Sequence, residues 1–435
     1  MKKTPVIIIF DVGKTNKKIF AFDEDYRIVY KDSAPLPEIK DEDGFPCEDI
    51  FSLTAWVKNK FESLMHDSRF NIKAVNFSAY GASFVLLNEQ KKVIAPLYNY
   101  LKPYPENLKK QFYNVYGLAD FPCVTASPVL GSLNSGMQLY RLKYEKPELF
   151  NKIKYALHLP QYLSFVLSGS LHSEITSIGC HTNLWNFQTN QYHDWVTREG
   201  VLEKLPPIKT SEEVAASINS SIMVGVGLHD SSAALLPYLK SKRESFVLLS
   251  TGTWCISLNP FNHAELSKEE LTNDCLSYLT IEKTPIKASR LFSGAEHDEF
   301  VKKASKHFRK PLNHYENIVY DTSLNPSDLN DSYSDLNRFN SYKEAYHHFM
   351  YKLNERQKRS TDFVLKPTDV KNIFVDGGFS QNTLFMNGLS KVYREMKVYS
   401  ATIAQASSIG AALVIHSYWN TKSAPSNLID LKLFS

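Results

Sequence analysis

Twice in this chain an apolar run stops at a short turn of glycine and hydroxyl or amide side chains, and a second apolar run follows at once. The first instance is Val6 to Phe10, then Asp11-Val12-Gly13-Lys14-Thr15-Asn16-Lys17-Lys18, then Ile19 to Phe22. The second is Ser245 to Leu249, then Ser250-Thr251-Gly252-Thr253, then Trp254 to Leu258. β-Branched runs separated by polar turns read as strands of a meander, and Tyr26 to Tyr30 extends the first one. The recurrence is a repeat of architecture, not of sequence identity. Backbone N–H groups around Gly13, with Thr15 and Asn16 beside them, are suited to cradling a phosphate, and Asp11 could hold Mg²⁺ through water. Two such turns facing each other across a cleft would clamp a polyphosphate from both sides. The plain alternative for the first turn is a charged hairpin.

Three further strand ends carry chemistry. A short apolar run (Ile222, Met223, Val224, Val226) leads to Gly227-Leu228-His229-Asp230-Ser231-Ser232-Ala233-Ala234. That pattern delivers a carboxylate to a loop with a small-residue helix behind it, capped by Ser231 or Ser232. An Asp so placed can accept a proton from a substrate hydroxyl as it attacks a phosphate; otherwise it only caps the helix. Lys371 to Val375 leads to Asp376-Gly377-Gly378-Phe379-Ser380-Gln381-Asn382 and a helix from Leu384 to Val392. The two glycines let a flat ligand lie against bare backbone, and Ala404 to His416 predicts a small-residue helix packed close by. Lys73 to Ser78 is a buried strand ending at Ala79-Tyr80-Gly81-Ala82-Ser83, followed by a hairpin from Phe84-Val85-Leu86-Leu87 to Val93-Ile94. The tip Tyr80 to Ser83 and the loop Tyr98-Asn99-Tyr100-Leu101-Lys102 could line a sugar site, or be core.

At 435 residues the chain exceeds one ordinary core. Lys31 to Asp49, rich in Pro and acidic residues, predicts an exposed loop, and Ile50 to His66 a helix. Helical spacing recurs over Leu108 to Tyr116, Met137 to Tyr144, Ile153 to Leu167 (stopped by Ser168-Gly169) and Tyr342 to Phe363. A polar run from Asn325 to Asn340 predicts loop, and Leu205 to Ser221 a domain boundary. The net charge of +4, with no basic block, argues against a nucleic-acid surface. No apolar run approaches the roughly 20 residues that span a bilayer, and the first apolar run is short for a signal peptide. The five cysteines (Cys47, Cys123, Cys180, Cys255, Cys275) lack Cys-x-x-Cys spacing. They argue against a disulfide framework or a zinc site and fit a reducing cytoplasm. Nor do the histidines make a metal-binding pattern, since His347-His348 is adjacent.

Asp11-x-Gly13-x-Thr15 with Lys18, Thr251-Gly252-Thr253-Trp254, His229-Asp230, and Asp376-Gly377-Gly378 with Asn382 occur in an order and spacing that resembles the FGGY family of carbohydrate kinases. Leu157 to Gly169 with Glu174-x-Thr176, and Tyr80 to Leu87 with Tyr98-Asn99-Tyr100, are similar to its rhamnulokinase/fuculokinase branch. The resemblance implies an α/β fold of two ribonuclease-H-like domains, of the actin/hexokinase/Hsp70 ATPase type, flanking a deep cleft. Residues 1–222 would form the sugar side and 223–435 the ATP side. It implies ATP and Mg²⁺ as cofactors and Asp230 as general base, with Asp11 and Asp230 toward the metal. Gly13, Thr15, Asn16, Lys18, Thr251, Gly252 and Thr253 would hold phosphates; Gly377, Gly378 and Asn382 would flank adenosine. Tyr80, Gly81, Ser83 and His229 would join Asp230 around a small-molecule sugar, a ketose of rhamnulose, fuculose or xylulose type. A cytoplasmic enzyme, with a homodimer left open, follows. Lys14 stands where the family usually has Thr, and Tyr100-Leu101-Lys102-Pro103 replaces an Arg-rich tip. The chain is also shorter than many members. Two alternatives are a non-catalytic sugar- or nucleotide-binding regulator and an ATPase of the actin and chaperone type. The intact Asp11 and Asp230 argue against the first, and the Glu174 to Trp185 segment against the second.

Overall fold

Val6 to Phe10 are β-branched or aromatic and wholly buried. They form the centre of a first sheet in the computed structural model, which describes residues 3–117, 119–241, 244–324, 335–403 and 405–434. β1 (Thr4–Val12), β2 (Lys17–Asp23) and β3 (Ile28–Ala34) make the expected antiparallel meander. Helix α1 (Ile50–Met65) is capped by Asp49, whose carboxylate accepts from the N–H groups of Phe51 and Ser52. It leads into β4 (Phe70–Ala79), parallel to β1. The run from Lys31 to Asp49, expected to be an exposed loop, holds two buried carboxylates. Glu48 pairs with Lys17 at 2.8 Å, and Asp41 pairs with Lys102.

β5 (Phe84–Leu87) turns back antiparallel onto Val93 and Ile94 as expected, in a short return with one bridge from Leu87 to Val93 and the Ile94 N–H donating to the Leu86 carbonyl at 3.1 Å. After helices α2 (Glu106–Tyr116) and α3 (Ser135–Glu145), β6 (Tyr155–His158) becomes the antiparallel partner of β5. The single helix expected over 153–167 is therefore split into β6 and α4 (Leu159–Ser168). The buried backbone of β5 requires a hydrogen-bonding partner, and Pro160, best accommodated in a first helical turn, lies in the first turn of α4. Gly169, at φ 68°, ends it as expected. β7 (Val214–Ile218), β8 (Ile222–Gly225) and β9 (Leu228–His229) complete the sheet: β7 and β8 form a hairpin, and β8 and β9 run parallel to β4. The boundary expected after residue 222 falls inside this structure, because the main chain through His229 is bonded to the first sheet.

The second half contains α5 (Asp230–Ser241), β10 (Phe246–Thr251), β11 (Cys255–Asn259), β12 (Cys275–Leu279), β13 (Pro285–Leu291), α6 (Ser293–His307) and α7 (Tyr342–Leu365). It ends with β14 (Asn372–Gly377), α8 (Thr383–Val392), β15 (Lys397–Thr402), α9 (Ala406–Val414) and β16 (Asp430–Phe434). Ala404 and residues 325–334 of the expected loop lie outside the described residues; Leu336–Arg338 is one 3₁₀ turn. The strand order β13-β11-β10-β14-β15 repeats β3-β2-β1-β4-β8 of the first sheet. In each, the opening strand (β1 or β10) pairs antiparallel with the next (β2 or β11) and parallel with a later one (β4 or β14). The internal repeat is thus topological. It places Asp11, Ala79 and His229 at the carboxyl ends of one set of parallel strands and Thr251 and Gly377 at those of the other, where open α/β sheets bind ligands.

Between the sheets α5 and α9 cross at backbone contact. A Cβ on Gly410 would lie 1.8 Å from the Ala233 carbonyl oxygen, so only glycine permits the approach. One core cluster runs through this crossing, from Ile7, Ile9 and Phe22 to Leu236, Phe246 and Ile409. Among the described residues no helix is long and apolar enough to cross a membrane.

Candidate active site

Asp11 sits at the end of β1 and faces the start of α9. The hydroxyls of Ser407 and Ser408 donate to its Oδ2 at 2.7 and 2.9 Å. Burial raises the pKa of Asp11, the two hydroxyls pull it down, the charge of Asp230 raises it and Lys18 opposes that. Strand alternation gives the two adjacent lysines opposite environments. Lys17 is buried, bonded to Glu48 and to the Lys14 carbonyl, while Lys18 reaches Gln405 Oε1 at 3.3 Å. The Gly13 N–H closes the turn onto the Asn16 carbonyl at 3.0 Å, leaving Thr15 and Asn16 exposed at the tip. Lys14 pairs with Glu38, so its cation already has a carboxylate partner.

Asp230 is the first residue of α5, with its side chain about one-third exposed (33%). Burial pushes its carboxyl above the usual range, against the N–H and hydroxyl of Ser231, which donate to Oδ1 at 2.6 and 3.3 Å. His229 Nε2 lies 3.3 Å from the same oxygen. Oδ2 takes no protein hydrogen bond among the described residues. A buried network sets this position. The Glu174 carboxylate accepts from the N–H groups of Thr176 and Ser177 and from the hydroxyls of Thr176 and Ser211. Thr176 Oγ1 in turn accepts the His229 N–H at 3.1 Å. Gly227, at φ 75°, donates its N–H to Asn76 Oδ1.

Near this carboxylate stand Gly81 and Tyr100, with Tyr80 packed on Tyr100 and its hydroxyl turned to Glu48 at 3.5 Å. A Cβ on Gly81 would lie 2.9 Å from the His229 ring. Tyr100 packs edge-on against Tyr80 at 5.7 Å. Burial, with Asp230 and Glu38 nearby, pushes its hydroxyl up to about 12. Ser83 is buried, its hydroxyl donating to the Tyr98 carbonyl at 2.8 Å. The rest of the 98–102 loop is occupied with its own anchoring: Tyr98 bonds Glu42, Asn99 bonds the Pro46 carbonyl and Lys102 bonds Asp41 and Asp43.

The second sheet contributes a cavity of about 500 Å³ whose lining includes Thr251, Gly252, Thr253, Gly378, Gln381 and Asn382. The start of α6 presses on the 251–253 turn, since a Cβ on Gly294 would meet the Gly252 carbonyl oxygen at 1.8 Å. The two adjacent glycines, expected to present bare backbone together, have different roles. Gly377, at φ 84°, has the Thr251 carbonyl oxygen 1.9 Å from where its Cβ would be, so packing and backbone conformation require it. Gly378 has nothing within 4 Å and opens on the cavity. The Thr251 hydroxyl is committed to structure, donating to the Asp376 carbonyl and accepting the Phe379 N–H. Asn382 caps α8 and donates to the Tyr346 hydroxyl at 2.7 Å, which lies 2.9 Å from His297 Nε2.

Two groupings thus emerge, Asp11, Lys18, His229, Asp230 and Gly81 in one and Thr251 to Thr253, Gly378 and Asn382 in the other. Ser407, Ser408, Asn76 and His297 were not expected from sequence. Glu174 stood out there only as part of the Glu174-x-Thr176 motif, and its place behind His229 was not expected.

A sequence profile of the FGGY family of carbohydrate kinases, N-terminal domain, matches residues 6–232. Rhamnulokinase of Klebsiella pneumoniae (strain 342) is 25% identical over 243 residues, which cover 53% of this chain and 49% of that protein. The chain thus spans about half the length of the curated relatives it matches. Among solved structures, a carbohydrate kinase from Novosphingobium aromaticivorans superposes with a TM-score of 0.78 at 21% identity, covering 99% of this chain and 94% of that one. Ligand-bound xylulose kinase from Lactobacillus acidophilus gives 0.82 at 16% identity, covering 99% and 93%. These structures share the two-domain, actin/hexokinase-like α/β fold described above. With the profile lying over more than half its length, the chain belongs to the FGGY family of carbohydrate kinases.

Proposed function

We propose that this chain transfers the terminal phosphoryl group of ATP to a hydroxyl of a ketose, of rhamnulose, fuculose or xylulose type. The observation that carries the reading is Asp230, a partly buried carboxylate with raised proton affinity and a free Oδ2 at the carboxyl ends of the first sheet. Phosphoryl transfer needs an in-line nucleophile and charge neutralisation more than covalent chemistry. Asp230 accepts the proton of the attacking hydroxyl, and its raised pKa makes it a better base for that proton. Glu174 and Thr176 position it by holding the His229 backbone. Gly81, His229, Tyr80 and Tyr100 would bound the sugar; Ser83 would serve by fixing Tyr98.

The residues fit a divalent cation. Asp11 is a carboxylate whose proton affinity is raised by burial first and then by the charge of Asp230, an arrangement a cation relieves. Asp11, with Asp230 nearby, would hold Mg²⁺, which would neutralise phosphate charge. The cavity under Gly378 and Asn382 would take adenosine, with phosphates toward Gly13, Gly252 and Thr253. Lys18 would add positive charge from the opposite lobe. Five free cysteines suit a reducing cytoplasm.

The test is ADP release from Mg-ATP against a panel of ketoses, aldoses and polyols, beside a no-sugar blank. A response to one or two ketoses supports the reading. Equal release without sugar would favour an ATPase, and flat traces with ATP still bound would favour a non-catalytic binder.

A further inference from the structure

Cys180 and His181 lie beyond the short helix Ile175–Ile178, and His229 ends β9. All three are buried, and one ligand-capable atom from each lies within 4.8 Å of the others. Cys180 Sγ is 3.3 Å from His229 Nε2, and Asp230 Oδ1 is 3.3 Å from that same nitrogen. Tetrahedral Zn²⁺, with bonds of about 2.0–2.3 Å, holds its donors roughly 3.3–3.8 Å apart, so small side-chain adjustments close the set.

The His181 ring is already oriented. Its Nδ1 lies 3.2 Å from the Leu133 carbonyl, so that nitrogen carries the proton and Nε2 presents a lone pair. Metal-binding imidazoles are commonly fixed by such a carbonyl. The His181 backbone sits at φ 39°, strained for a residue with a side chain, and Asn134 Nδ2 holds its carbonyl at 2.9 Å. On the opposite side, Gly81 keeps the space beside His229 and Cys180 open: its Cβ would lie 2.9 Å from one and 3.6 Å from the other.

We propose that Cys180, His181 and His229 form a site for a thiophilic divalent cation such as Zn²⁺, whose occupation immobilises His229 beside Asp230 and switches the reaction off. The site rests on geometry; the switch rests on the kinase reading above. A thiol and two imidazoles select Zn²⁺ over Mg²⁺, which prefers oxygen donors. On binding, the Sγ–H bond gives way to an Sγ–metal bond and the proton leaves to solvent, with no change of oxidation state.

The metal-stripped full chain, without nucleotide, is titrated with Co²⁺. A thiolate-to-cobalt charge-transfer band is expected to saturate at one equivalent and to be displaced by Zn²⁺. Cys180→Ser should lose the band and Cys47→Ser keep it. His181→Asn, whose side chain tolerates the left-handed backbone, should weaken Co²⁺ binding at least tenfold. No band in the parent chain, or an undiminished band in Cys180→Ser, overturns the site. With Mg-ATP and an active sugar, micromolar Zn²⁺ should lower ADP release at least tenfold, reversed by a chelator with little affinity for Mg²⁺, and Cys180→Ser should resist it. A saturated band with unchanged turnover overturns the switch. If no sugar is turned over, the kinase reading fails while the cobalt band still decides the site.

Discussion

Asp230 is the general base of the proposed reaction, and its environment makes two separable predictions. Asp230→Ala should lower turnover by roughly 100- to 10,000-fold, the usual worth of a general base, with nucleotide affinity nearly unchanged by titration calorimetry. Retained turnover would discard the assignment. The second concerns stability. The folded chain holds the Asp230 proton more tightly than the unfolded chain, so its folded pKa is raised above the ordinary 3.8. The group therefore favours folding at pH below the ordinary carboxylate range, and that contribution is lost as pH rises through the raised value. Asp230→Asn should accordingly stabilise the fold at neutral pH by on the order of 1 kcal/mol, seen as a raised thermal midpoint, with the gain shrinking in acid. Melts of both proteins at two pH values measure it. Gly377 and Gly378 form a contrast at the same scale. Gly377→Ala forces a side chain into a left-handed backbone against the Thr251 carbonyl and should cost about 3 kcal/mol or more. Gly378→Leu enters open space; stability should hold while ATP affinity falls at least tenfold, and unchanged affinity would remove adenosine from that cavity.

At the scale of elements, the crossing of α5 and α9 connects the two carboxylates. α5 begins with Asp230, and α9 begins with the serines that bond Asp11. Gly410 lets the two backbones touch. Gly410→Val should push them apart, costing about 1–3 kcal/mol as an overpacking change. Unlike a purely structural lesion elsewhere, it should also depress kcat, because the shift moves Ser407 and Ser408 relative to Asp11. A variant with lowered stability and unaltered kcat would separate the crossing from the site. The split of the expected 153–167 helix belongs here too. Its apolar spacing suits a helix, yet the unpaired edge of β5 required a strand, a demand arising some seventy residues earlier in the chain.

Across the whole molecule, the two sheets share one core cluster on their facing sides, while each keeps a further cluster of its own. Phe22 and Ile9 of the first pack in one cluster with Phe246 and Phe374 of the second, through α5 and α9. The edge strand β12 also donates from Ser277 and Leu279 to the carbonyls of Ala126 and Gly179 in the first lobe. Two lobes joined through a shared apolar core should unfold together. Calorimetry should show one cooperative transition in the absence of ligand, and two resolved peaks would show that the lobes are independently stable.

Alternating β-branched runs, glycine-hydroxyl turns and the positions of Asp11, Asp230 and Gly377 were legible in the sequence by itself. Each is written in a few consecutive residues through side-chain period and turn chemistry. The same local signals announced the repeat of strand, turn and strand, while its topological identity awaited the registers of the two sheets. Only the tertiary structure could bring Ser407 and Ser408 onto a carboxylate almost four hundred residues away, or seat Glu174 behind His229. It also joined Cys180 and His181 to His229, although no spacing in the chain suggested a metal site. Those distances depend on how two lobes pack around shared helices, and packing is set by the sum of many weak, long-range contacts that no short stretch of sequence contains.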